Sequence, residues 1–572
     1  MAITPFLPSP IDTKKAAMGN SREEDRLLAH LKALQDESAD SKKKWAPAED
    51  DKEALRLYRG EYRPQGRTQY YSCNFLQAFI DRMVAQLTDN RPIPRIEHRK
   101  VGLKDTAKAL EKVMNGLWQE LNMQRQTFKM CHQAATGRSA GMYVGYDHKD
   151  QSIYIETISK DQIWYDPQIV ESSLLHKAEY VIIERIKPTG ELAQRFPGRG
   201  ALVKPHDVSY GGDRAGSVVK SPITELLKFG RNKSTQKSVI DRSRVYEACL
   251  QDRQLNNEGK PLFPYGRRII YTPEIILWDG PIPYWDGTTP VDWFDWAVDP
   301  EHPWGHSQCL LIKQLQHAFN EILDGTVTNT VLTNFISITG AADALDPTQW
   351  KNLQKIAHSL ILRTSSPNKP VTVTTPQPYG LDKMQIARQL FTYAQLLMGV
   401  TDVTLGDQPG SLQSGQAIEG LQEAAGLMNR ARASRLEDFY ARIGTKLMAR
   451  ILQFWPSDKV FHMLGPTGES TEYALNRKEL FLDDQHRPVS PETRREVFHA
   501  LRFAVLPGSS APGTRARRAE MMVKLHMLGA ASRKMVLQSA DFQNPDEMLK
   551  EAEEDFAKFP PAGFKRDTSQ GA

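Results

Sequence analysis

The stretch Val400-Thr-Asp-Val-Thr-Leu-Gly-Asp-Gln-Pro-Gly-Ser-Leu-Gln-Ser-Gly-Gln-Ala-Ile418 decides how the rest of the chain is read. Gly406, Pro409, Gly410 and Gly415 break any regular period, so residues 400–415 read as a loop. The loop carries Asp402 and Asp407 and no Lys or Arg. Ser414 then stands where a helix cap is expected. From Ile418 the apolar residues Leu421, Ala425, Met428, Leu436, Phe439, Tyr440, Ile443, Leu447, Ile451 and Phe454 keep a helical period up to Trp455-Pro456. The period predicts one helix of about forty residues, or about 60 Å at 1.5 Å per residue, beyond the usual globular range. A helix that long suits a strut in a large assembly.

Upstream, Asp382 is placed to cap a helix bearing Met384, Ala387, Leu390, Phe391, Ala394 and Leu397, and Gly399 to end it. Before that helix lies an insert, 339–380, with a short helix near Trp350–Leu360 and a strand at Val371–Val373. A further helix is predicted after Gly305, with Leu311, Leu315, Ala318, Phe319, Ile322 and Leu323 on one face. The run Val327, Val331, Ile336, Ile338 reads equally as helix or strand.

The tract Trp278–Trp304 holds Trp278, Pro281, Pro283, Tyr284, Trp285, Pro290, Trp293, Trp296, Pro300, Pro303 and Trp304. Proline fixes φ and aromatic rings bury large areas with few rotatable bonds, which predicts a stiff strap across a core. A platform on which sugars or bases stack is the alternative. Short β-forming runs between Gly141 and Ile186, at Val245–Leu250 and at Ile269–Leu277 predict a sheet region, interrupted by a Gly-, Ser- and Lys-rich loop at 198–240. Helices are predicted at about 21–37, within a frayed N-terminal arm, over Phe75–Leu87, around Leu110–Leu121, and around 514–535 and 545–558 after the loop Pro507–Pro512.

Composition is that of a globular chain. Across 572 residues, 74 Lys+Arg stand against 69 Asp+Glu, a difference of +5, with 40% hydrophobic residues. This excludes a disordered chain and a highly basic nucleic-acid packager. The N-terminus lacks a signal-peptide layout, and 325–342 is too rich in Thr and Asn to span a bilayer, so an intracellular, soluble chain is expected. Cys73, Cys131, Cys249 and Cys309 form no CxxC and are expected as buried, reduced thiols.

Motifs for phosphate loops, dinucleotide folds, zinc proteases, calcium loops and serine hydrolases are absent from the sequence. His302 and His306 are four apart, but Pro303 spoils their shared helical face as a metal site. Glu551, Glu553, Glu554 and Asp555 read as a solvated face, and the adjacent Glu437 and Asp438 point apart. No cofactor is called for. Basic residues gather at Arg430, Arg432, Arg435, Arg442, Lys446 and Arg450 on the long helix. A second group is Arg515, Arg517, Arg518, Lys524, Arg533 and Lys534 near the C-terminus. Solvated faces or intersubunit ion pairs are the plain reading of both groups, and DNA-phosphate contact is the sharper one.

The order of these elements resembles the portal proteins of tailed bacteriophages over about residues 50–560. The resemblance rests on Leu87-Thr88-Asp89-Asn90-Arg91-Pro92 closing an early helix and on Pro303-Trp304-Gly305 opening a helix with Gln314, Gln316 and Asn320. It rests further on Met398-Gly399-Val400 and, most specifically, on Gly406…Ser414-Gly415-Gln416-Ala417-Ile418 before the long helix. It implies a mainly α subunit with an α+β wing, in a ring with wing, stem, clip and crown. By similarity, 1–50 is an N-terminal arm, 51–305 the first part of the wing, 306–337 the first stem helix and 338–380 the clip. Residues 381–399 are then the second stem helix and 400–415 the tunnel loop. The long wing helix and the rest of the wing occupy 416–512, and the crown and C-terminal tail 513–572.

Thr401, Asp402, Thr404, Asp407, Gln408, Ser411 and Gln413 would face the channel, and Lys351, Lys355, Arg363 and Lys369 would lie on the clip. The implied partners are further copies in a ring, usually of twelve, the terminase large subunit, capsid or scaffolding protein, tail adaptors, and double-stranded DNA passing without sequence preference. No membrane is implied. The implied place is the capsid portal vertex of the virion, after assembly in the host cytoplasm. The resemblance carries over no catalytic residue and no metal. Alternatives are a metal-dependent nucleic-acid-processing enzyme and a different head or tail ring protein.

Overall fold

Apolar residues spaced at the helical period between Phe75 and Leu87 give a helix that buries Leu76, Phe79, Ile80, Met83, Val84 and Leu87 almost completely. The β-forming residues from Ser139 onward, Tyr143, Val144, Tyr146, Ile153 and Ile155 among them, give strands instead. The computed structural model describes residues 22–62, 70–89, 92–100, 103–205, 241–255, 259–333, 337–339, 372–374, 381–400, 427–455, 460–464, 470–474, 490–506, 514–539, 549–550 and 552. Helix and strand are mixed throughout. In chain order come α1 (Arg22–Trp45), α2 (Ala48–Tyr58), α3 (Phe75–Thr88), β1 (Pro94–His98), α4 (Lys104–Glu120), α5 (Met123–Gly137), β2 (Ser139–Asp147), β3 (Ser152–Ser159), β4 (Ile163–Tyr165) and β5 (Tyr180–Pro188). Then follow α6 (Thr189–Arg195), β6 (Arg242–Leu250), β7 (Arg267–Tyr271), β8 (Ile276–Pro281), β9 (Val291–Asp295), α7 (Gln308–Leu311), α8 (Lys313–Thr333), β10 (Ser337–Thr339), β11 (Thr372–Thr374) and α9 (Leu381–Met398). The last are α10 (Leu427–Phe454), β12 (Val460–Leu464), β13 (Ser470–Ala474), α11 (Pro491–Ala500), β14 (Leu501–Val505), α12 (Thr514–Met527) and α13 (Arg533–Ser539).

The chain divides into two compact units, Met1–Leu55, Ile80–Leu310 and Asp402–Ala572 in the first, Arg56–Phe79 and Leu311–Thr401 in the second. The first unit is built on a five-stranded antiparallel sheet, β4-β5-β6-β7-β8, and a three-stranded sheet, β3-β2-β9. Alternation along β5 sorts its side chains. Val181 and Ile183 pack with Tyr143, Ile158, Val291, Trp293 and Trp304 in one core, while Tyr180 and Ile182 pack with Leu27 and Leu31 of α1 in another. Trp293, Trp296 and Trp304 are among the largest fully buried side chains, so the aromatic tract is core, and five of its positions form β9. In the second unit α8 packs along α9, and β10 pairs with β11 in antiparallel register from Ser337↔Thr374 to Thr339↔Thr372.

Several expectations change. The arm helix is not frayed: α1 runs 24 residues to Trp45 and docks on the large sheet. Ile269–Leu277 is two strands, because Pro273 turns the chain and Thr272 N–H donates to Ile275 O at 2.8 Å. Asp382 sits inside the first turn of α9, not ahead of it. The helix expected over 514–535 breaks at Gly529, which adopts φ 73°; Ala530 N–H bonds to Leu525 O and Gly529 N–H to His526 O, closing a Schellman cap. Gly399, at φ 70°, ends α9 with the same pair of bonds. Cys73 is exposed, whereas Cys131, Cys249 and Cys309 are buried, and all four are free.

The described part of the long helix, α10, has 28 residues, about 42 Å; residues 416–426 of that expectation lie outside the described residues. So do the short helix near 350–360, the loops 206–240, 400–415 (apart from Val400) and 507–512, and all but three residues of the helix expected at 545–558. Gly444 in α10 is a packing requirement. A Cβ there would come within 2.1 Å of the Phe503 ring on β14. Among the described residues no helix is long and apolar enough to cross a membrane.

Candidate functional site: a strap zipped to the long helix

Five of the six basic residues of α10 fall at 432, 435, 442, 446 and 450, spacings of three, four and seven that place them on one face. Along the helix they reach from Trp296 back to Tyr284 of the aromatic tract. The Arg432 guanidinium lies 5.0 Å from the Trp296 ring centre and donates to Asn429 Oδ1. Arg435 donates to Trp296 O at 3.2 Å. Arg442 donates to Asp292 Oδ1 and Trp293 O, both at 3.2 Å. Lys446 donates to Thr289 O and Thr288 Oγ1 and pairs with Asp292 Oδ2 at 3.2 Å. Arg450 pairs with Asp286 and stacks 3.4 Å over the Tyr284 ring. Gln453 completes the run by accepting from Trp285 N–H and donating to Pro283 O. Helix and strap therefore run antiparallel, joined tooth by tooth.

These teeth are dry. Arg450, Lys446, Asp286 and Asp292 side chains are at most 4% exposed. Burial alone would raise the Asp286 carboxyl, but Arg450 and Lys446 outweigh it and hold it below the usual range. Burial, with Arg435 beside it, lowers the Arg432 guanidinium to about 10. Asp295 is the exception. It is buried, its Oδ1 has no partner, and burial raises its carboxyl to about 7, against smaller opposing effects from Ser172, Arg435 and Arg442. An acid raised in the folded state contributes stability that is complete below its unfolded value of 3.8 and lost as pH rises through about 7. Asp295→Asn should therefore be the more stable form at pH 8, by about 2–4 kcal/mol, with the advantage falling to less than half at pH 5 and vanishing below 3.8. Thermal unfolding of both forms at the two pH values checks this; a pH-independent difference would refute it.

A second charged cluster lies between the sheets. Glu247 accepts from Arg185 and Arg268, both at 2.7 Å, and from Tyr143 Oη at 3.1 Å. Burial opposes its charge, yet the two arginines bring its carboxyl down to about 2. A cleft of about 630 Å³ opens beside it, lined by Lys129, Glu156, Lys160, Asp161 and Arg185 among others.

In the second unit three polar residues of α8, four apart, hold the chain ahead of α3. Asp324 accepts from Tyr71 N–H (2.9 Å), Asn320 from Cys73 N–H (3.0 Å) and Gln316 from Leu76 N–H (3.2 Å), while Gln316 donates to Cys73 O (2.7 Å). Asn74 caps α3 by accepting from Gln77 N–H. This ladder satisfies backbone groups of an extended segment that has no strand partner. Sequence reading missed it, although polar residues at i, i+4 and i+8 within an apolar helix face are a legible signal.

The residues singled out from sequence scatter. Arg432 and Arg435 are turned into the strap, and Arg430 is exposed. Within the single chain Arg442, Lys446 and Arg450 bind the strap, the last two shut off from solvent. Arg515, Arg517 and Arg518 lie on α12. The tunnel-loop residues Thr401, Asp402, Thr404, Asp407, Gln408, Ser411 and Gln413, the clip residues Lys351, Lys355, Arg363 and Lys369, and Glu551, Glu553, Glu554 and Asp555 lie outside the described residues. His302 and His306 meet on Asp299, at 3.3 and 2.5 Å, yet among the described residues no group of three side chains suits a metal ion.

Charge spent on bracing one element against another is the build of a structural subunit. Residues 49–570 match the Phage P22-like portal protein family, and the chain belongs to that family. The family's role is that of the phage portal, a structural ring at the capsid vertex and not an enzyme. No curated protein matches the chain significantly.

Proposed function

We propose that this chain is the subunit of a portal ring, usually of twelve copies in the family, that serves as the conduit for packaging and ejecting double-stranded DNA. The observation that carries the reading is the family match over 49–570. The pairing of α8 with α9 in a unit separate from the five- and three-stranded sheets supports it. In this reading 306–337 and 381–399 are the stem helices and 338–380 the clip that docks the terminase large subunit and later the tail adaptors. Residues 400–415 are then the tunnel loop, α10 is a spoke of the wing, and 513–572 form the crown; capsid or scaffolding protein surrounds the ring.

The charge pattern fits a conduit. Lys and Arg at the narrowest point would hold phosphates and oppose sliding; the loop offers Asp402 and Asp407 and no base. The arginines of α10 that could grip DNA are instead engaged by Asp286, Asp292 and backbone carbonyls. Shortening 401–413 should leave ring assembly intact while abolishing packaging or retention of DNA. A packaging assay on rings first verified by size-exclusion chromatography tests it. Loss of the ring itself would place this loop at a subunit interface, outside the channel.

A further inference from the structure

We propose that the turn Asp299–His306 is an acid-released latch that holds Trp304 in the core when His302 is neutral and lets it go when His302 is protonated. Two imidazoles converge on one carboxylate. His302 Nε2 and His306 Nε2 both reach Asp299 Oδ2, while Asp299 Oδ1 accepts from Glu301 N–H at 2.8 Å. The other nitrogen of His302, Nδ1, faces Trp304 N–H at 3.3 Å. That nitrogen must be an acceptor, so the ring is neutral with its proton on Nε2. The ring is 4% exposed and lies 5.0 Å from the Trp45 ring. Trp304 is 1% exposed and packs 4.5 Å from Tyr165.

The latch sits on a strained hub. Arg138 has φ 78°, a left-handed value for a residue with a Cβ, and its side chain is tied to Asp50, Asp51 and Trp45 O. Its carbonyl accepts from Trp296 N–H, His306 N–H bonds to Ala297 O, and Ser307 Oγ–H bonds to Thr136 O at 2.7 Å. The strap end is thus fastened at both sides of the turn, and His302 Nδ1 is a fastening that a proton removes while the Asp299 carboxyl, held below its usual range, stays ionised.

The charges around that ring come from three places. Its own turn supplies Asp299, Glu301 and His306. The α5–β2 junction supplies Arg138, itself paired with Asp50 and Asp51 of α2. From the end of α1, Lys44 lies over Trp45 and Lys42 lies 5.2 Å from the Trp304 ring. A second proton on His302 would set N–H against the Trp304 N–H and bury a cation near Arg138. Burial is the main influence lowering the His302 imidazole below 6.5; His306 and Arg138 add to it, and Asp299 and Glu301 oppose. A base lowered in the folded state contributes stability that is present above 6.5 and lost as pH falls below it. The latch is therefore closed at pH 7.5 and loosened at pH 5.5.

The test is amide hydrogen exchange of 296–307 in the full-length protein, corrected for intrinsic exchange. Opening should rise between pH 7.5 and 5.5, by up to about tenfold, the limit for one titrating group one unit below its unfolded value. His302→Gln should abolish that rise, and His306→Gln, which spares the Nδ1 bond, should keep it. Should His302→Gln not fold, imidazole C2–H exchange of the unaltered protein decides. His302 must then titrate below 6.5 and exchange more slowly than His306, which is 59% exposed at its side chain. The proposal is overturned by a flat profile in the unaltered protein, by an unchanged rise in His302→Gln, or by a His302 midpoint at or above 6.5.

Discussion

Asp286→Ala should destabilise the protein by about 3–5 kcal/mol, the range for removing one partner of a buried ion pair. The loss is not that of one contact. Asp286 holds Arg450, which is fully buried against Tyr284, accepts from Thr288 Oγ1 at 2.6 Å, and lies 3.8 Å from Lys446. Without the carboxylate, Arg450 is a cation in a site closed to water. Asp286→Asn keeps the shape and should still lose most of the effect. Glu191→Ala, which breaks the half-exposed pair with Lys187, should cost only about 0–1 kcal/mol. Urea unfolding at fixed protein concentration reads all three. Equal, small effects would mean that the strap is held by its tryptophans alone. Because Arg450 and Lys446 hold the Asp286 carboxyl low, its contribution is present above 3.8 and lost as pH falls further.

Leu27→Ala with Leu31→Ala is expected to cost about 2–5 kcal/mol per site, with some non-additivity between neighbours one turn apart. Both are fully buried and face Tyr180, Ile182, Tyr246, Ala248 and Ile269. The same helix brings Glu24, 1% exposed, which accepts from Arg199 at 2.8 Å and from Ile276 N–H at 3.0 Å. The family match begins at residue 49, so α1 precedes the matched region and yet covers one face of the five-stranded sheet. The double variant should show a lowered urea midpoint and new binding of an apolar dye. A variant as stable as the unaltered protein would return α1 to the status of a loosely attached arm.

What was legible in the sequence was what local periodicity encodes. Phe75–Leu87, Leu110–Leu121 and the helix ending at Gly399 follow from apolar spacing and a terminal glycine, and the burial of Trp293, Trp296 and Trp304 follows from their size and the prolines between them. The partner of each charge was not legible. Arg442 and Asp292 are 150 positions apart, and Arg450 and Asp286 are 164; a helix face rich in arginine looks alike whether it meets water, phosphate or a strap. The arm misled for a related reason. Half of α1 is charged, and the few residues that anchor it, Leu27 and Leu31 above all, are too sparse to outweigh its polar composition. The candidate channel and clip residues rest on the resemblance and the family match.

The central claim, that this chain is a ring-forming portal subunit, is tested most directly by negative-stain imaging of the purified full-length protein. The account predicts closed rings with a central hole wide enough for duplex DNA. A stable monomer at high concentration across a range of salt would contradict it.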